Sequence, residues 1–146
     1  MSRLILIRHA HAGSREKWTG PDDQRPLSDK GWSQARGLVD VLHDEPSQRI
    51  VSSPSLRCTQ TLMPLAEARG LPVEEDPRLL EGHDPEDTFA WLEREVAARS
   101  IAVCTHGDIV PAVLDLAAER GATLPSEQRW AKGSTWILDF ESGRWL

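Results

Sequence analysis

The chain has 146 residues, the size of one ordinary domain and long enough to bury a core without disulfides or structural metals. Its 17 Lys and Arg against 23 Asp and Glu give a formal net charge of -6, which argues against nucleic-acid binding through a broad basic surface and leaves an anionic ligand to be met by a local positive cluster. The opening apolar run, Leu4 to Ile7, is too short for a signal-peptide core or a membrane span and is ended at once by Arg8 and His9, so the expectation is a single cytoplasmic domain over residues 1–146 with no membrane partner.

Arg3 to Arg8 is a short, continuous, branched apolar run, as expected of a strand buried on both faces of a parallel sheet. The polar stretch from Ala10 to Leu27 that follows is longer than most connections in compact domains, which favours a functional loop. Ser28 stands as an N-cap, with Trp32, Ala35, Leu38, Val39 and Leu42 at helical spacing behind it and Gly37 as a weak point. Arg49 to Ser52 reads as a second buried strand, and Pro54 suits the first turn of a helix that runs to Arg69 and stops at Gly70. Leu71 to Glu74 is a third strand. Asp84-Pro85 opens a third helix with Phe89, Leu92 and Val96 on its apolar face. Ile101 to Cys104 lies inside a further strand, and a fourth helix follows His106-Gly107-Asp108, with Pro111 near its first turn, where backbone donors are still free. Thr135 to Phe140 alternates as a sheet strand and turns at Glu141-Ser142-Gly143 into Arg144-Trp145-Leu146. Strands alternating with helices imply an α/β protein, a three-layer α/β/α sandwich with a mainly parallel central sheet.

Open sheets of this kind carry their chemistry beyond the carboxyl ends of the strands. Arg8 and His9 end the first strand, Ser52 and Ser53 follow the second, and His106 follows the strand at Ile101 to Thr105. Arg57, one turn into the second helix, points back to the same edge. Arginines supply fork-shaped, permanently charged donors and a helix N-terminus adds free amides, so the cluster is a phosphate site in outline. His9 suits a nucleophile, because an ordinary imidazole is largely neutral at pH 7 and histidines form covalent intermediates. Arg8, Arg57 and His106 are then the phosphoryl-binding residues, and Glu81 is the carboxylic acid best placed by loop position to protonate a leaving oxygen.

The string Leu6-Ile7-Arg8-His9-Ala10, the segment Ser52 to Thr61 and the turn Thr105-His106-Gly107-Asp108 resemble the three signature regions of the histidine phosphatase superfamily, which includes phosphoglycerate mutases and SixA-type phosphohistidine phosphatases. The resemblance runs in order over essentially the whole chain. It implies a phosphoglycerate mutase-like fold, a phosphorylated His9, a phosphate pocket of Arg8, Arg57 and His106, and no cofactor. Ala10 to Arg15, with Trp18, Gly20, Asp22-Asp23 and Arg25-Pro26-Leu27, is similar to the phosphatase domain fused behind a MutT-type Nudix domain in actinobacterial proteins, here expected to stand alone. SixA-type members generally lack an acid such as Glu81, so its presence leans toward a phosphate ester over protein phosphohistidine.

Further candidates for substrate contact are Gly107, Ser14, Arg15 and Lys17. Arg15, Lys17, Trp18 and Arg25 contact a second phosphate or a base, or else form a solvated loop around a packed Trp18. Trp130, Lys132, Gly133 and Ser134 pose the same question near the last strand. The arginines would repel a metal held by His9, His11 and His106, so no metal is expected. His11 reads as a loop histidine, His43 and His83 as surface residues, and Cys58 and Cys104 as buried free thiols. The leading function is metal-independent hydrolysis of a phosphorylated small molecule or of a phosphohistidine protein through His9. A mutase-like phosphotransferase and a catalytically idle phosphate-binding domain are the alternatives.

Overall fold

The first strand, β1 (Ser2–Arg8), is a strand because its branched apolar residues have core on both sides of the sheet: Leu4, Ile5, Leu6 and Ile7 are all fully buried. The computed structural model describes residues 1–124 and 131–146, so Trp130 lies outside the described residues. After β1 come α1 (Asp29–Val41), β2 (Arg49–Ser52), α2 (Leu56–Arg69), β3 (Val73–Glu75), α3 (Pro85–Ala98), β4 (Ile101–Thr105), α4 (Ile109–Glu119), β5 (Thr135–Glu141) and β6 (Arg144–Trp145). Short 3₁₀ turns occupy Asp22–Gln24 and Pro77–Leu79.

The six strands form one sheet in the order β3-β2-β4-β1-β5-β6. The first four are mutually parallel, and β5 and β6 add antiparallel pairings at one side. Alternation along the strands divides the core between the two faces. Ile5, Ile7, Ile50, Ala102 and Cys104 pack with Leu38 of α1 and Leu62 and Leu65 of α2. Leu4, Leu6, Val51, Ile101 and Val103 pack on the other side with Phe89 and Leu92 of α3 and Val113 and Leu114 of α4. The result is the expected α/β/α sandwich. Among the described residues, no helix is long and apolar enough to cross a membrane.

Local signals placed most element ends. Ser28 Oγ accepts from Gly31 N at 3.1 Å to cap α1, Asp84 Oδ1 accepts from Glu86 N at 3.0 Å to cap α3, and Gly70 closes α2 in the left-handed conformation. Three details differ from expectation. Helix α2 begins at Leu56 with Ser55 as its N-cap, so Pro54 precedes the helix instead of opening it. Strand β3 is shifted to Val73–Glu75, because its register is set by pairing with Ile50 to Ser52 of β2. The long loop is not wholly irregular, since it holds the turn at Asp22–Gln24.

That loop is pinned to α1 at one close approach. His11 O accepts from Ser28 N at 3.0 Å, and a Cβ on Gly31 would lie 1.9 Å from the same oxygen. No side chain fits there without moving backbone. Gly31→Ala is therefore expected to cost about 3 kcal/mol, seen as a fall in Tm of roughly 10 °C. A Tm equal to that of the parent would refute the contact.

Candidate active site

The strand register explains why distant residues meet. Arg8 of β1 pairs with Thr105 of β4, and Cys104 pairs with Ser52 of β2. The ladder continues one residue further, with His9 N donating to Thr105 O at 3.1 Å and Ser53 N to Cys104 O at 3.0 Å. The next side chains at this edge are His9, Ser53 and His106. The two imidazoles lie edge to face, 5.4 Å between centroids.

His9 is 5% exposed. Its Nδ1 lies 2.8 Å from Ala10 O; a carbonyl only accepts, so Nδ1 carries the proton and Nε2 keeps its lone pair. The Ala10 amide is held in turn by Thr61 Oγ1 at 3.0 Å. Burial above all pushes the His9 pKa down to about 3; the bond to Ala10 opposes this, while Arg57, His106 and Arg8 add to it. The arrangement yields a neutral imidazole with a defined tautomer and an available Nε2, the form a nucleophile needs.

His106 is 1% exposed. Its Nδ1 is 3.4 Å from Arg57 Nη2, which can only donate, so the proton sits on Nε2 and is donated to Ser53 Oγ at 2.9 Å. Cys58 Sγ touches the same nitrogen at 3.6 Å. Both cysteines are free and buried, and burial pushes the Cys104 thiol well up.

Arg57, also 1% exposed, stands in the first turn of α2. Its Nη1 donates to Asp22 O at 2.9 Å, and its Nη2 lies 3.1 Å from Asp22 Oδ2 and 3.6 Å from Glu81 Oε2. Asp22 also receives Arg15 Nε and Arg25 Nε, each at 3.2 Å. Burial would raise the Asp22 pKa, but Arg57, Arg25 and Arg15 together hold it below the usual range. Arg25 is buried and donates to Ala12 O at 2.7 Å. Its cation thus shapes the loop as well as the charge of the site.

Arg8, His9, Arg15, Arg25, Glu81, Gly107, Asp108 and Lys132 share a cavity of about 350 Å³ with Gly13. A Cβ on Gly107 would lie 2.7 Å from the Arg8 guanidinium carbon, so the absence of a side chain there lets Arg8 lie flat against the backbone. Glu81 is brought in by two ties on its loop. Thr105 Oγ1 donates to Leu79 O at 2.6 Å, and Asp108 Oδ2 accepts from Gly82 N at 2.8 Å. Arg15 Nη2 faces both Glu81 oxygens, at 3.1 and 3.2 Å.

The structure therefore brings together Arg8, His9, Arg57, His106, Gly107, Glu81 and Arg15. Ser14 and Lys17 line instead an adjoining cavity of about 270 Å³ with Trp18, Pro26 and Leu27; Gly13 and Arg25 border both cavities. His11 belongs to neither: its Nδ1 meets Ser28 Oγ at 2.6 Å. His43 pairs with Asp44 and His83 with Asp87 at the surface. Among the described residues, no three His, Cys, Asp or Glu side chains could hold a metal ion. The sequence reading missed Asp22 as the common carboxylate of three arginines, Ser53 and Thr61 as supports of the two histidines, and Asp108 as the tie on the Glu81 loop. Their signal was position alone, since Ser53 directly follows β2, Asp108 immediately precedes α4 and Thr61 lies one helical turn past Arg57.

A family model of the histidine phosphatase superfamily (branch 1) matches residues 4–84. The matched span takes in Arg8, His9, Arg57 and Glu81 and stops short of His106. The 8-oxo-(d)GTP phosphatase of Mycolicibacterium smegmatis is 32% identical over 144 residues, 96% of this chain and 45% of that protein. Phosphoserine phosphatase 1 of Hydrogenobacter thermophilus is 36% identical over 86 residues, 56% of this chain and 39% of that protein. The chain thus spans less than half the length of these curated relatives. Among solved structures, the protein histidine phosphatase SixA complexed with tungstate superimposes with a TM-score of 0.77 at 25% identity, over 99% of this chain and 92% of that one.

Proposed function

The chain belongs to the histidine phosphatase superfamily, and on that premise we propose that it hydrolyses a phosphomonoester through a phosphohistidine formed on His9. The observation that carries this reading is the state of His9. Its ring is fixed by Ala10 O, neutral across the physiological range, and set at a strand edge beside Arg8, Arg57 and His106.

In the first step His9 Nε2 attacks phosphorus in line, the ester P–O bond breaks, and the leaving oxygen takes a proton from Glu81 acting as general acid. In the second, water attacks the phosphohistidine, the N–P bond breaks, and Glu81 recovers a proton from that water, releasing inorganic phosphate. Arg8 and Arg57 hold the phosphoryl oxygens throughout, and His106 orients Arg57 through its Nδ1. Such positioning and charge stabilisation supply most of the catalysis in phosphoryl transfer. The pocket's positive charge comes from side chains, so the rate of hydrolysis of an aryl phosphate is expected to be the same with and without a strong chelator. The relatives named as phosphatases support phosphate release and differ in the substrate they name. Hydrolysis is preferred to mutase-type transfer because the relatives and the structural neighbour are named as phosphatases.

Glu81 separates ester from phosphohistidine substrates. An alkyl phosphate expels a poor leaving group, whereas an imidazole or an activated aryl oxide leaves readily without a proton. Glu81→Gln is expected to slow hydrolysis of alkyl phosphates by roughly a hundredfold while barely changing an activated aryl phosphate. A damaged fold would lower both rates together. Equal rates for variant and parent on alkyl phosphates would remove Glu81 from the mechanism and favour the phosphohistidine reading, which the likeness to SixA over nearly the whole chain supports.

A further inference from the structure

The cavity wall contains a cation outside the histidine and arginine cluster. Lys132 lies on the turn that leads into β5, and that turn is fastened to the backbone of the nucleophile itself. Gly133 N donates to Arg8 O at 3.1 Å and to His9 O at 3.0 Å, Arg8 N donates to Ser134 O at 3.0 Å, and Ser134 N closes the turn on Ala131 O at 2.9 Å. These bonds leave the turn little freedom to move relative to His9. Lys132 lines the same cavity as Arg8 and His9.

The charges around it are unevenly matched. Arg15, Arg25 and Arg57 share the carboxylates of Asp22 and Glu81, and Asp108 is engaged with the Gly82 amide. Among the described residues, no carboxylate pairs with Lys132, since none of the ion pairs includes it. Half-buried, it faces other cations instead. Burial first, then Arg8, Arg25, Arg15 and Arg57, push its ammonium below the usual lysine range. Lys132 thus adds a positive charge to the cavity wall beside Arg8, Arg15 and Arg25, where an anionic phosphoryl group meets it.

We infer that Lys132 is a substrate-binding residue, its ammonium held over the nucleophile by the turn's backbone bonds so that it grips the phosphoryl group together with Arg8. This rests on the reading of the cavity as a phosphate site. The entering dianion supplies the partner that Lys132 lacks among the described residues, so the residue contributes to affinity for any phosphoryl ligand, whatever alcohol it carries. An ammonium is a point charge and makes no demand on the shape of the leaving group.

The test is calorimetric titration of the intact protein with inorganic phosphate, which needs no turnover, together with KM and kcat on an aryl phosphate. Lys132→Met and Lys132→Gln remove the charge with different shapes, and Lys132→Arg keeps it. Both neutral variants are expected to bind phosphate about ten- to a hundredfold more weakly, in line with hydrogen bonds to charged groups, with KM raised in parallel, kcat changed less and Tm unchanged. Lys132→Arg is expected to stay near the parent. Neutral variants that bind phosphate as tightly as the parent overturn the inference, as does an arginine variant as weak as they are, which would mark a structural role. A folded parent that binds no phosphate would overturn the phosphate-site reading itself, a result distinct from the other two.

Discussion

His9→Ala is expected to lower phosphate-ester hydrolysis by at least about a thousandfold, the scale on which removing a covalent nucleophile acts. Brief incubation of the parent with radiolabelled substrate should trap an acid-labile phosphoprotein, and the variant should trap none. The expectation follows from geometry as much as from residue type. The Ala10 carbonyl fixes which nitrogen is free, and burial above all, with the neighbouring cations adding to it, holds its pKa down to about 3. No acid limb of the pH-rate profile near 6 should therefore belong to His9. Labelling that persists in the variant would assign the nucleophile elsewhere.

The second large effect is expected at Arg57. Arg57→Lys keeps the charge and loses the fork. Two separate Arg57 nitrogens meet Asp22, and Nη2 also reaches His106 Nδ1; one ammonium cannot serve all of these and still present a donor to a phosphoryl oxygen. The loss should be roughly tenfold to a thousandfold in kcat/KM, or about 1.4 to 4 kcal/mol of transition-state stabilisation. Part of it arises indirectly, because the turn at Asp22–Gln24 rests on Arg57 and in turn orients Arg15 and Arg25. A variant as active as the parent would place Arg57 outside the pocket.

The sheet and the strand-end residues were legible because they depend on short-range patterns. Apolar runs such as Leu4 to Ile7 and Ile101 to Cys104 announce strands buried on both faces, and parallel pairing then gathers their carboxyl ends at one edge. That logic brings Arg8, His9 and His106 to one edge, where the structure also places Arg57. It could not find Asp22. The carboxylate joins Arg15, Arg25 and Arg57 only because the loop after β1 folds back over α2, and its path depends on contacts such as Gly31 against His11 O and Arg25 on Ala12 O. The pairing of Arg15 with Glu81 spans 66 positions of sequence, and no local periodicity encodes it. Lys132 was visible as a cation near the last strand, but its place beside Arg8 and His9 comes from a turn bonded to β1. The boundary shift at Pro54 has a local cause: Ser55, one residue later, takes the N-cap position.

The neutral, enclosed His9 also carries a consequence for behaviour in acid. Its affinity for a proton is far lower in the folded chain, with a pKa near 3, than at the ordinary value of 6.5 expected once the chain unfolds. Between these values the unfolded chain takes up a proton that the native one refuses. Acidification through this window therefore draws the equilibrium toward unfolding, whereas above about pH 6.5 the residue is indifferent. Asp22 pulls in the same direction at lower pH, since its carboxylate is stabilised by arginines only in the native state. Weak acid thus reaches the fold through the residue proposed as its nucleophile, and replacing His9 with an uncharged side chain of similar size should flatten the acid side of the stability curve.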